Sequence, residues 1–133
     1  MKFRDIYLSA RPVISFELFP PKTNQGMERL EERLPKLISL DHSFITVTYG
    51  ALGSTQEYTL ELVSKIKNDF GIEAGHHLTC VGGTRDDIEQ RLESIKREKI
   101  ENIVALRGDP PGGQIEFVPP LGGYLHADEL VRH

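Results

Sequence analysis

Four short apolar runs, separated by stretches with helical periodicity, leave this chain few ways to fold. The runs are VISFELF (13–19), FITVTY (44–49), AGHHLTC (74–80) and NIVALRG (102–108). Between them, apolar residues recur at the spacing of one helix face. These are Leu30, Leu34, Leu37 and Ile38, then Tyr58, Leu62 and Ile66 with Val63 and Phe70 less regularly, then Ile88, Leu92 and Ile95. Strand then helix, three times over and begun a fourth time, predicts a parallel sheet joined by crossover helices. Two α/β architectures satisfy that pattern. A flavodoxin-like open sheet needs about this length, whereas a (β/α)8 barrel has about 250 residues and twice as many units.

The helix boundaries carry their own signals. Ser54 with Glu57, and Thr84 with Asp87, have capping-box spacing, in which hydroxyl and carboxylate each satisfy a free backbone N–H. Gly71 is placed to close the second helix in the left-handed conformation. Pro35 lies inside the first helical pattern, where the missing N–H predicts a kink or a restart. After the fourth run comes RGDPPGGQIEFVPPLGGY (107–124), a Pro- and Gly-rich loop of a length that is usually either functional or disordered. HADELVRH (126–133) reads as the opening turns of another helix, and stopping there suggests a fragment of a longer protein.

Parity along a strand sorts each run into two faces. Ile14, Phe16 and Leu18 oppose Val13, Ser15, Glu17 and Phe19. Ile45, Val47 and Tyr49 oppose Phe44, Thr46 and Thr48. His76, Leu78 and Cys80 oppose Gly75, His77 and Thr79. Val104 and Leu106 oppose Ile103, Ala105, Arg107 and Asp109. One set in each run is mainly apolar and suits packing under helices. The other set places Glu17, Thr48, His77, Arg107 and Asp109 toward the C-terminal strand ends, where parallel α/β proteins carry their ligand sites. Glu17 is the most informative of these. A carboxyl within an apolar strand is costly unless paired or neutral, and burial would raise its pKa toward that of a general acid working near neutral pH.

Composition removes several classes of function. The formal charge of -4 and pI near 5.7 disfavour a nucleic-acid surface, and Lys and Arg are scattered. With Cys80 as the sole cysteine no internal disulfide can form. The N-terminal MKFRDIYLSARP lacks the apolar stretch of a signal peptide, so a cytoplasmic protein is expected. No window approaches 18 consecutive apolar residues, so no membrane span is expected. HHLTC is not a metal site: His77 and Cys80 point to opposite faces, while His76 and Cys80 lie about 13 Å apart along a strand. VGGT reads as a capped helix start, because Asp86 and Asp87 would repel phosphate and the Lys-Ser/Thr of a phosphate loop is missing.

SFELFPPKT, ITVTYGALGST, HHLTC and NIVALRGDPPG, in this order and spacing, resemble the N-terminal half of the 5,10-methylenetetrahydrofolate reductase family. The resemblance runs from about residue 13 to the end. It implies the first four units of a (β/α)8 TIM-type barrel, with FAD as cofactor and NADH or NADPH as hydride donor. The implied reaction reduces 5,10-methylenetetrahydrofolate to 5-methyltetrahydrofolate, in one-carbon metabolism feeding methionine synthesis. By the same resemblance Glu17 is the catalytic acid that assists opening of the folate ring, and Asp109 lies near flavin and pterin. Thr48, Tyr49, Ala51, His77, Arg107, Gly108, His126 and Ala127 match cofactor-contacting positions, with His126 standing where the family has a tyrosine. A homo-oligomer without nucleic-acid or membrane partners is expected. The alternative is a non-catalytic half-barrel that self-associates or binds a ligand without turnover.

Overall fold

The computed structural model describes residues 1–9, 11–49, 56–110 and 114–133. Its elements run α1 (Phe3–Tyr7), β1 (Ser15–Leu18), α2 (Asn24–Ile38), β2 (Phe44–Val47), α3 (Gln56–Asn68), β3 (Ala74–Thr79), α4 (Arg85–Arg97), β4 (Asn102–Leu106) and α5 (Ala127–Arg132). The four strands form one parallel sheet in the order β1-β2-β3-β4. Each strand therefore pairs with its neighbour in sequence, with no reversal of winding among the described strands.

The core lies on one face of that sheet. Ile45, Val47 and Ala74 cluster with Leu34 of α2, Leu62, Val63 and Ile66 of α3, and Ile95 of α4. Helices from three crossovers thus cover the same face, unlike a doubly wound sheet, where order reverses and helices flank both faces. A second cluster joins Leu78 and Cys80 to Ile88, Tyr124 and Leu130, with Ala105 and Phe117 packed against it.

Local chemistry fixes the helix ends. In α4 the Thr84 N–H donates to Asp87 Oδ2 at 2.8 Å and the Asp87 N–H donates to Thr84 Oγ1 at 3.3 Å, the reciprocal pair the spacing predicts. In α2 the hydroxyl oxygen of Thr23 accepts from the Gly26 N–H at 3.1 Å, a cap the periodicity alone does not reveal. Gly71 takes φ 69° beyond α3, and the Ile72 N–H then reaches the Ile66 carbonyl. Pro35 does not restart α2, which continues to Ile38. The proline is exposed and in the last turn, so only one carbonyl loses a partner there. Ser54 lies outside the described residues.

The opposite face is filled at one end by α1, an element without a periodic signature. The Phe3 ring stacks on Phe44 with centroids 3.9 Å apart. It occupies the space above Gly75, where an added Cβ would lie 2.7 Å from the ring. The Phe3 N–H donates to Asn102 Oδ1 at 2.7 Å, and the Met1 ammonium pairs with Glu73 and Glu101 at 2.6 and 2.8 Å.

Strand register corrects the assignment of faces in β4. Glu17 pairs with Thr46, Thr46 with Gly75, and Gly75 with Asn102, so these residues share a face. His77 pairs with Val104 and Thr79 with Leu106, which puts Val104 and Leu106 on the Glu17 side. Ala105 packs against the helix-side cluster instead. Parity alone could not orient this strand, because Asn-Ile-Val-Ala-Leu is apolar on both sides.

Candidate active site

At the C-terminal ends of the strands, β1 and β3 bring Glu17 and His77 together. Glu17 Oε2 lies 3.7 Å from His77 Nε2, within ion-pair range for a protonated ring but too long for a hydrogen bond. The two side chains differ in environment, His77 being 9% exposed and Glu17 51% exposed. Burial holds His77 below the usual imidazole range, with the Glu17 charge opposing that shift, so the ring is neutral near pH 7. The expectation of a buried Glu17 is corrected: β1 lies at the sheet edge and the face above its carboxylate is open.

Thr48 joins this pair. Its N–H donates to the Leu18 carbonyl at 2.9 Å, extending the β1–β2 ladder by one residue and keeping Thr48 in phase with Thr46 on the Glu17 face. Thr59 of α3 donates its hydroxyl to the Thr48 carbonyl at 3.0 Å, fixing that strand end.

Arg107 is not brought to this face. The Arg107 guanidinium lies 5.7 Å from the Phe117 ring centroid, on the side of the second cluster, and its Nε donates to the Gly108 carbonyl. Asp109 is exposed and forms no ion pair among the described residues. Gly108 has φ 84°, and an added Cβ would lie 2.4 Å from Val81 Cγ2 and 3.2 Å from Thr79 Cβ. On the protein side, the close approach at Gly108 is to the end of β3 and to Val81 just beyond it.

Tyr49 faces the helices, its ring 6.0 Å from that of His76, as parity predicts. Ala51 lies outside the described residues. His126 and Ala127 open α5 above the ends of β3 and β4, where the His126 carbonyl lies 3.6 Å from Cys80 Sγ. The Glu129 carboxylate accepts from the Leu125 and His126 N–H groups at 2.8 and 2.9 Å, and these bonds lower its pKa. Leu106, 40% exposed beside Thr79, is the site residue that sequence reasoning assigned to the wrong side. Only the β3–β4 register could have placed it.

Together, Glu17, Thr48, His77 and Leu106 offer a carboxylate, a hydroxyl, a neutral imidazole and an apolar surface on one open face. That set suits a flat heteroaromatic ring that hydrogen-bonds at its edge and packs through its plane.

A singly wound βα sheet with such groups at its C-terminal strand ends defines a class of α/β protein that binds ligands at that edge. Within that class, the methylenetetrahydrofolate reductase family model matches residues 2–133, and the chain belongs to that family. It is similar to methylenetetrahydrofolate reductase (NADH) 1 of Arabidopsis thaliana, 42% identical over 132 residues, which are 99% of this chain and 22% of the relative. The Zea mays protein of the same name is 45% identical over 123 residues, 92% of this chain and 21% of the relative. The 5,10-methylenetetrahydrofolate reductase of Salmonella typhimurium is 40% identical over 100 residues, 75% of this chain and 34% of the relative. The chain therefore spans a fifth to a third of the length of these curated relatives.

Proposed function

We propose that these residues form the first four units of a (β/α)8 barrel in a cytoplasmic, homo-oligomeric methylenetetrahydrofolate reductase. The reaction is reduction of 5,10-methylenetetrahydrofolate to 5-methyltetrahydrofolate by NADH or NADPH through FAD, in one-carbon metabolism that feeds methionine synthesis. The observation that carries this reading is the Glu17–His77 pair at the open C-terminal end of the sheet. The sequential strand order supports it, since a barrel is wound in one direction. So do the names and greater length of the relatives, whose remaining residues would supply the other units.

Thr48, His77 and Leu106 would hold the flavin ring, and bound flavin would supply the hydride relay between nicotinamide and folate. Glu17 gives its proton to a folate nitrogen as the C–N bond of the five-membered ring breaks. The electron pair of that bond stays on nitrogen, and the carbon left as an iminium accepts hydride. Cover by bound ring systems would desolvate the carboxyl and favour its acid form. A neutral His77 matters here, because an imidazolium beside Glu17 would hold it as the carboxylate.

The test is Glu17→Gln in the complete enzyme. Flavin reduction by the nicotinamide should stay close to wild type, whereas folate reduction should fall by about 10²–10⁴, the usual worth of a general acid. Equal losses in the two half-reactions would remove Glu17 from that role.

A further inference from the structure

On the helix side of the sheet, away from Glu17 and His77, a pocket of about 380 Å³ opens between α3 and α4. Its size falls within the roughly 300–1,000 Å³ of small-ligand sites. Three side-chain atoms lining it are buried without a hydrogen-bond partner: Tyr49 Oη, His76 Nδ1 and Arg91 Nη1. The His76 residue is only 3% exposed. Unmatched buried polar atoms are rare, and three meeting in one pocket suggest a ligand that matches them.

Their chemistry restricts what that ligand is. Arg91 is a permanent cation that can only donate; Asp87, one turn earlier on α4, feels its charge but does not approach to ion-pair distance. Its guanidinium carbon lies 5.9 Å from the Tyr49 ring centroid. A Cβ on Gly83 would come within 2.9 Å of Arg91 Nη1, so the glycine leaves the guanidinium its place. Burial pushes the Tyr49 phenol up to about 12 and His76 down to about 4, so near pH 7 both are neutral and each carries one donor proton, the His76 ring also meeting the His77 backbone. One cation flanked by two neutral donors complements a carboxylate. Leu60 and Ile95, together with the Tyr49 ring, provide an apolar wall. Glu57 and Asp87 add carboxylates to the lining, whose repulsion acts on any anion but about twice as strongly on a dianion such as phosphate as on a single carboxylate at Arg91.

We propose that this pocket binds a small monocarboxylate with an apolar body, its carboxylate meeting Arg91, Tyr49 and His76. The site stands independently of the reductase reading, because it lies on the other face of the sheet.

The experiment titrates the full chain with benzoate while following the ring resonances of His76 and Tyr49 by NMR. Benzamide, the neutral isostere, and inorganic phosphate are titrated alongside. Benzoate should shift both rings saturably and bind about tenfold or more tightly than benzamide, the difference a charge-assisted pair supplies. Arg91→Gln should weaken benzoate about tenfold and so erase that preference. Tyr49→Phe, which removes one oxygen and no volume, should weaken benzoate severalfold and keeps the test decisive if Arg91→Gln fails to fold. Absence of a saturable shift, equal affinity for benzoate and benzamide, or tighter binding of phosphate would overturn the proposal.

Discussion

Replacing Gly108 by alanine should destabilise the fold through two separable penalties. Gly108 sits at φ 84°, so any L side chain there is strained, at a cost of roughly 1–2 kcal/mol. The new methyl would also stand 2.4 Å from Val81 Cγ2 and 3.2 Å from Thr79 Cβ, too close without a shift of the β3 end. Val81 is 5% exposed and Thr79 7%, so neither can swing into solvent, and forced repacking costs roughly 1–3 kcal/mol. Loss of glycine freedom in the unfolded chain returns about 0.4–1 kcal/mol. The net cost is then about 1–4.6 kcal/mol. Gly71 is the control: its φ is 69°, but nothing lies within 4 Å of an added Cβ. Gly71→Ala should show the strain alone, about 0–1.6 kcal/mol after the same return. The assay is urea unfolding of both variants beside wild type. At a slope of about 2 kcal/mol per molar urea, the steric difference should separate their midpoints by about 0.5–1.5 M. Equal midpoints for the two variants would refute the steric argument and leave only the backbone term.

Gly75→Ala should lower stability by about 1–3 kcal/mol, because its methyl would overlap the Phe3 ring. Phe3→Leu in the same chain should restore part of the loss, and a double variant no more stable than Gly75→Ala would count against that contact. His76 makes stability depend on pH. The unfolded chain takes up its proton below about 6.5 but the folded chain only near 4, so stability is lost as pH falls through that window. The full effect is about 3 kcal/mol, and His76→Gln should flatten the fall in urea midpoint between pH 7 and 4.5. An unchanged slope would mean that other groups, His77 among them, carry it.

The strands and crossover helices were legible because their signals are local: apolar runs of strand length, helical spacing and the Thr84–Asp87 cap. What remained hidden depends on register and tertiary contact. β4 is apolar on both sides, so only its pairing with β3 shows that Leu106 shares a face with His77 while Ala105 does not. Glu17 looked buried because its neighbours in sequence are apolar, yet burial depends on what lies above the strand. α1 has five residues, none of them fully buried, and its place is set by Phe44, Gly75 and Asn102, which are distant in sequence. The parity of Tyr49 and His76 could be read directly, but their approach to Arg91 across two elements could not.

The docking of α1 also bears on the order in which the chain becomes structured. Each strand pairs with the next one made, so β1 to β4 can add one at a time during synthesis, through contacts of modest sequence separation. The Phe3–Asn102 bond spans 99 residues and cannot form until β4 exists. The segment that precedes β1 is therefore among the last to find its place. Until then the Phe44–Gly75 surface stays uncovered on the nascent chain, a stretch that invites chaperone contact before α1 folds back to cover it.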